Sequence, residues 1–321
     1  METELRARKK EPRGTVRPFA RGKTARRLLK DWQLYSLLIL PVAYFILFKY
    51  GPMLGNVIAF RKYVPGGPWF GTQWVGLKYF KMFIFDGNFW MKFRNTVVIG
   101  ASSLVFGFPL PIVLALLLNE VRSKAFKKTV QTISYLPHFL SVVIVAGMTI
   151  DLLSPSSGFV NVIVKALTGH TVAFMQESGY FVPVYVITGI WQETGWGTIL
   201  YLAALTNINP ELYEAAEIDG ASRWQQTLHV TLPGILPTIT ILLILNTGAI
   251  LNVGFEKVLL LYNPAIYDTA DVISTYLYRI GMEMNSFSYA TAIGLFDSVI
   301  GFLLIALANF FSKKFSETSL W

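Results

Sequence analysis

A chain of 321 residues that is 53% hydrophobic and only 15% charged, with a mean hydropathy of +0.48, is too apolar for an ordinary soluble domain, where about 25% of residues are charged. It has no cysteine, which excludes disulfides, thiolate metal sites and cysteine nucleophiles; its three histidines, His138, His170 and His229, are too scattered to suggest a metal centre. A formal charge of +9 would suit nucleic acid, but eleven of the 28 basic residues crowd between Arg6 and Lys30, which is the distribution of a membrane orientation signal and argues against a nucleic-acid partner.

Residues 1–31 form a basic tail, taken as cytoplasmic and apt to touch anionic lipid. The apolar run that follows fits a signal peptide poorly, because some thirty polar residues precede it and no small-residue cleavage site follows. Six stretches approach the roughly 20 residues a helix needs to cross a bilayer. They lie at about 33–59, 95–118, 131–153, 183–206, 235–260 and 287–311. The expectation is an all-α integral membrane protein with a six-span domain over 32–311 and a short cytoplasmic tail over 312–321. With both termini inside, the inner segments hold 18 basic residues and the outer loops 8, so that orientation is favoured. Lys49 and Lys257 then stand near outer helix ends, where they can snorkel to headgroups.

The first outer loop, 60–94, departs from this bias. It holds Arg61, Lys62, Lys78, Lys81, Lys92 and Arg94 against the single Asp86. Such a loop is either a scaffold that tolerates charge or a surface for an acidic partner or solute. Prolines interrupt several spans (Pro41, Pro109, Pro111, Pro137, Pro237), and Gly100, Ala101, Gly107, Gly294 and Gly301 would permit close helix contact.

Polar residues inside spans are costly and face a bundle interior or a wet cavity. In the fourth span Trp191, Gln192, Glu193 and Trp196 qualify, and in the fifth Asn246, Asn252 and Glu256, the last two placed on one helical face by their spacing. The sixth contributes Asp297, with no basic residue in its own span. Amide, carboxylate and indole groups suit a carbohydrate; interhelical hydrogen bonding is the plainer role. The alternative for Glu256 beside Lys257 is a boundary ion pair.

Between the fourth and fifth spans runs NINPELYEAAEIDGASRWQQTLHVTLPGILP, residues 207–237. Asn209 is placed as an N-cap, Pro210 at the first helical position, and Asp219–Gly220 at the helix stop. A second short helix is expected from Ala221 toward Leu228, making a compact docking protrusion. No phosphate-binding loop, paired-carboxylate site or Ser/His/Asp set of any specificity appears, so no catalytic residue, bound cofactor or metal is assigned.

The string Glu214-Ala215-Ala216, then Asp219-Gly220-Ala221, with nine residues between Gly220 and the Val230-x-Leu232-Pro233 element, resembles the EAA loop of ATP-binding-cassette importer permeases. Val230 stands where that family usually has Ile. Six spans with this loop about a hundred residues from the C-terminus resemble the type I, MetI-like permease fold of the maltose-transporter type. Residues 252–264 (NVGFEKVLLLYNP) and the terminal Ser319-Leu-Trp321 are similar to its LplB-like branch, whose members serve complex oligo- and polysaccharides, including acidic glycans such as alginate.

The resemblance implies a permease that is not itself an enzyme. It implies a heterodimer with a second permease, two ATPase subunits that hold ATP and Mg, and an extracytoplasmic solute-binding protein delivering a carbohydrate. The 207–233 loop would enter a cleft of the ATPase, and the locale would be a bacterial inner membrane. Rival readings are an ion-coupled secondary transporter, which Asp297 keeps open, a membrane glycan-processing enzyme, and the same importer class serving a neutral sugar.

Overall fold

The computed structural model describes residues 32–315; the basic tail 1–31 and the terminal Ser319-Leu-Trp321 lie outside the described residues. The chain divides into two compact units, up to Gly55 and from Asn56. The described part of the first is helical. Helix α1, Trp32–Phe45, runs through a wide π turn, Ile46–Tyr50, into Gly51–Leu54. Its Leu37, Leu40, Leu47 and Phe48 are all exposed, an apolar surface that lipid tolerates and water does not.

Among the described residues, the second unit has helices and one two-stranded ribbon. Strands β1 (Arg61–Lys62) and β2 (Gln73–Trp74) pair antiparallel, and helix α2 (Lys78–Ile84) follows. Ser288 pins this ribbon: its hydroxyl donates to the Arg61 carbonyl at 2.8 Å and accepts the Tyr63 N–H at 2.9 Å. The helices that follow, in chain order, are α3 (Phe89–Glu120), α4 (Lys124–Tyr135), α5 (Val142–Leu153), α6 (Phe159–Thr168), α7 (Ser178–Leu205), α8 (Pro210–Ile218), α9 (Arg223–Gly248), α10 (Phe255–Leu261), α11 (Ile273–Tyr278) and α12 (Phe287–Phe315).

Three prolines shape these helices in the same way, while Pro41, Pro183 and Pro237 lie inside α-helices. Pro52, Pro109 and Pro233 each follow a π turn by two residues, the turns being Ile46–Tyr50, Ser103–Gly107 and Thr227–Thr231. A proline ring clashes with the carbonyl four residues back and offers that carbonyl no N–H. A widened turn relieves both problems without ending the helix.

Four helical stretches among the described residues are long and apolar enough to cross a membrane: Tyr35–Phe60, Phe89–Glu120, Arg223–Gly248 and Phe287–Lys314. These match the first, second, fifth and sixth expected spans. The third, 131–153, is not one helix. Pro137 sits in a tight turn, Leu136–Phe139, Ser141 caps the next helix by accepting the Ile144 N–H, and the two pieces bend by 98°. The fourth, 183–206, lies on α7, whose 28 residues span about 42 Å. That helix is too polar to stand among the four, because it is the packed axis of the unit. Phe181, Tyr185 and Val186 enter one buried cluster with Val258 and Val272, and Tyr201 and Leu205 enter another with Ala115 and Ile235.

The expected fifth span also ends early. α9 stops at Gly248, and residues 249–254 turn away before α10 begins. Asn252 and Glu256 therefore do not share a helical face. The second short helix expected from Ala221 to Leu228 is instead the start of α9, which continues through its π turn into the apolar stretch.

The first outer loop is not an open basic surface either. Lys92 is buried, with Asp86 at 3.7 Å and the Tyr276 ring 4.1 Å below its ammonium. Tyr276 in turn donates to Asp86 at 3.2 Å, and burial, with Tyr289 and Asp86 adding to it, pushes its phenol up, so it remains a donor. Arg279 binds the buried Asp271 at 2.7 Å, and Thr275 donates to the same carboxylate at 2.8 Å. Lys62, Lys78, Lys81 and Arg94 remain exposed.

Candidate functional site

Two places gather the sequence-predicted residues. The first is a cavity of about 780 Å³ between α3, α7, the end of α9 and the 249–257 segment. It lies within the range of about 300–1,000 Å³ usual for small-molecule sites. Gln192, Glu193, Trp196, Asn246, Asn252 and Glu256 all line it. Trp191 and Asp297 do not. Trp191 is half-exposed on α7, and Asp297 on α12 has a buried carboxylate oxygen without a hydrogen-bond partner.

Several of these residues already have structural duties. Gln192 donates to the Leu140 carbonyl at 3.1 Å, an acceptor left free by the break between α4 and α5. Glu193 meets His138 Nδ1 at 2.9 Å, and the His138 ring lies flat on Trp196, centroids 4.4 Å apart and planes within 3°. Asn246 donates to the Leu242 carbonyl of its own helix at 2.8 Å, which leaves its amide oxygen free.

The residue that sequence reasoning missed is Lys257. Read as a snorkelling cation or a boundary partner of Glu256, it instead turns inward. Its ammonium donates to the Tyr185 carbonyl at 2.9 Å and lies 4.6 Å from the Tyr185 ring centroid, on the cavity wall. Tyr185 is doubly used, since its hydroxyl accepts the Gly254 N–H at 3.0 Å and so ties the 249–254 turn to α7. His138 was missed as well. Neither has a local sequence signal, because each acts through a residue more than fifty positions away.

The second place is the 207–233 segment. Asn209 caps α8 by accepting the Glu211 N–H at 3.1 Å, with Pro210 first in the helix. α8 closes in a Schellman motif: Ala221 N–H reaches the Ala216 carbonyl at 2.9 Å and Gly220 N–H the Glu217 carbonyl at 3.0 Å, with Gly220 at φ +78°. Ser222 then opens α9 with a capping box to Gln225. The two helices are tied by Tyr213 to Thr231 at 3.0 Å, and to the far end of α3 by Arg223 and Glu120 at 3.3 Å.

Glu214, Ala215, Asp219 and Gly220 are exposed, as is Pro233; Ala216, Ala221 and Leu232 are half-buried. Leu212, Ile218 and Trp224 also stand out from the protrusion as exposed apolar side chains.

Residues 107–317 match the family described as the binding-protein-dependent transport system inner membrane component. Protein LplB of Bacillus subtilis (strain 168) is 45% identical over 92% of this chain and 92% of its own length. The polygalacturonan/rhamnogalacturonan transport system permease protein YteP of the same organism is 44% identical over 94% of this chain and 95% of its own. A chain from a bacterial ABC transporter involved in the import of the acidic polysaccharide alginate superposes with a TM-score of 0.82 at 43% identity, over 91% of this chain and 99% of that one. A second structure, of a bacterial alginate ABC transporter in complex with an alginate pentasaccharide-bound periplasmic protein, gives 0.83 at 43% identity, over 92% and 99%.

Proposed function

Because this chain belongs to the inner-membrane components of binding-protein-dependent transport systems, as a multi-pass permease of an ATP-binding-cassette importer and not the ATPase, we propose that it imports an acidic oligosaccharide through the α3–α7–α9 cavity. The permease would form a heterodimer with a second permease, receive its solute from an extracytoplasmic binding protein, and be driven by two ATPase subunits that hold ATP and Mg. The chain would cross six times, with the bent α4–α5 pair and the polar α7 as the third and fourth crossings and both termini inside. Residues 207–233 would be the coupling loop, with Glu214, Ala215, Ala216, Asp219, Gly220, Ala221, Leu232 and Pro233 setting its shape against the ATPase.

The observation that carries this reading is the protrusion α8–Gly220–α9, which exposes apolar side chains at the end of a rigid helix. Leu212, Ile218 and Trp224 are exposed there and are the side chains an ATPase cleft would cover. Closure of the ATPase on nucleotide would move this protrusion, and α9 would carry the motion to the cavity wall at Asn246. Nucleotide can do so only by binding one global state of the assembly more tightly than the other.

The acidic solute is supported by relatives named for polygalacturonan/rhamnogalacturonan and for alginate. A neutral sugar remains the second reading, since six of the cavity's polar groups suit hydroxyls equally well. The test is initial uptake by the reconstituted importer. Neutralising the exposed Lys62, Lys78 and Lys81 together should slow uptake of an acidic oligosaccharide more at low salt than near 0.15 M, where the Debye length is about 8 Å. A neutral glucan of equal length taken up as fast, with no salt effect in the triple variant, counts against an acidic solute.

Orientation is tested separately. The chain has no cysteine, so single replacements report cleanly. Gly87→Cys should react with a membrane-impermeant thiol reagent added outside, and Lys128→Cys should not; the opposite pattern would invert the topology. Both positions are exposed, and a side chain at Gly87 meets open space.

A further inference from the structure

The cavity wall contains a cation whose hydrogen-bonding capacity the fold does not use up. Lys257 is 8% exposed and lies at the start of α10, a position from which its four-carbon stem would reach solvent easily. It folds inward instead. An ammonium has three donors. One is taken by the Tyr185 carbonyl at 2.9 Å, and the Tyr185 ring faces the charge at 4.6 Å.

Among the described residues no carboxylate oxygen lies within the 4.0 Å of an ion pair with it. Glu193, on the same wall, is engaged by His138 at 2.9 Å. A buried ammonium whose direct contacts are neutral is costly; Glu193 attracts it without reaching it, and an anion that completes its shell offsets the remaining cost.

Space for that anion exists. Lys257 is the one basic side chain among the residues lining the cavity. Gly189 lies beside it on α7, where a Cβ would come 3.4 Å from the ammonium nitrogen, so the absence of a side chain there keeps the nitrogen approachable from the cavity. Asn246, with a free amide oxygen, Asn252 and the exposed Glu256 share the cavity and supply groups for hydroxyls, while Trp196 supplies a ring face.

We propose that Lys257 is the residue that selects for charge in the translocation cavity, its ammonium binding the carboxylate of a uronic-acid unit as the glycan passes. The proposal rests on the acidic-oligosaccharide reading above and names the side chain that enacts it. Only one strong cationic contact is present, which suits a pathway that must release its cargo. Several such contacts would hold an acidic polymer in place.

The experiment compares tetragalacturonate with its methyl ester in proteoliposomes carrying the complete importer and its binding protein. Lys257→Met should lower uptake of the acid about tenfold, the loss of one charge-assisted contact, and change uptake of the ester by less than about twofold. Lys257→Arg should restore most of the acid's uptake. The ester also serves as the folding control, since an unfolded permease would carry neither solute. An equal fall for acid and ester would make Lys257 a packing residue, and no fall for either would remove it from the pathway. In both cases the importer would still be an importer of acidic glycans. A wild-type importer that moves the ester but not the acid would instead overturn the acidic reading itself, and the role of Lys257 with it.

Discussion

Gly220→Val should reduce solute uptake and solute-stimulated ATP hydrolysis by about tenfold or more while leaving the amount of permease in the membrane unchanged. Gly220 sits at φ +78°, and a side chain there would meet no atom within 4 Å. The penalty is therefore in the backbone alone. A β-branched residue held in the left-handed region costs about 1–3 kcal/mol, and the protrusion can shed that cost only by giving up its Schellman closure. That would re-aim α8 relative to α9, and with it the exposed Leu212, Ile218 and Trp224. The folded helices beyond the loop are untouched. Gly220→Asn separates conformation from chemistry, because asparagine enters the left-handed region at little cost and should retain most of the coupling. If the valine variant transports and hydrolyses as the parent does, the loop is not the element that couples to the ATPase. If the asparagine variant is as impaired as the valine variant, some property other than the positive φ is at stake.

Gly195→Leu should deplete folded permease outright. Gly195 faces the end of α4, and a Cβ built there would overlap the backbone carbonyl of Ser134. Because the obstacle is backbone, no rotamer change relieves it; α4 and α7 must separate. Overpacking a core commonly costs about 1–3 kcal/mol, and a backbone collision at a helix crossing belongs at or above the top of that range. The diagnostic variant is Gly195→Ala. In a free helix, alanine is more favourable than glycine by about 1 kcal/mol, so the sign of the effect reports the contact. Gly147→Ala is the control: it lies in α5 with nothing within 4 Å of the added Cβ, and should leave the melting temperature unchanged or raise it. A Gly195→Ala permease that melts at or above the parent temperature in detergent would mean that α4 and α7 do not cross at this spacing.

The sequence by itself determined the membrane setting, four of the stretches long and apolar enough to cross, and the capped start and glycine stop within the 207–233 loop. Hydropathy over some twenty residues is a local quantity, and so are the Asn209 cap, the Pro210 start and the Gly220 stop, each set by the residue's own backbone and its near neighbours. Local signals failed where a segment's partners are other protein segments. α7 is more polar than a lipid-facing helix because one side of it packs into two buried protein clusters, and the break at Leu140–Ser141 depends on Gln192 to satisfy a carbonyl fifty-two positions away. Of the residues picked as polar within spans, six do share a cavity, since an intramembrane polar group is expensive anywhere else.

Only the tertiary structure decided which way Lys257 and Lys92 turn. Spacing from a helix end favours snorkelling for one and an open basic loop for the other. The acceptors that draw them inward, the Tyr185 carbonyl and the Asp86 carboxylate with the Tyr276 ring, are brought into reach by helix packing. A long flexible cation finds its partner after the fold has placed it, and that is why its direction was not written in its neighbours along the chain.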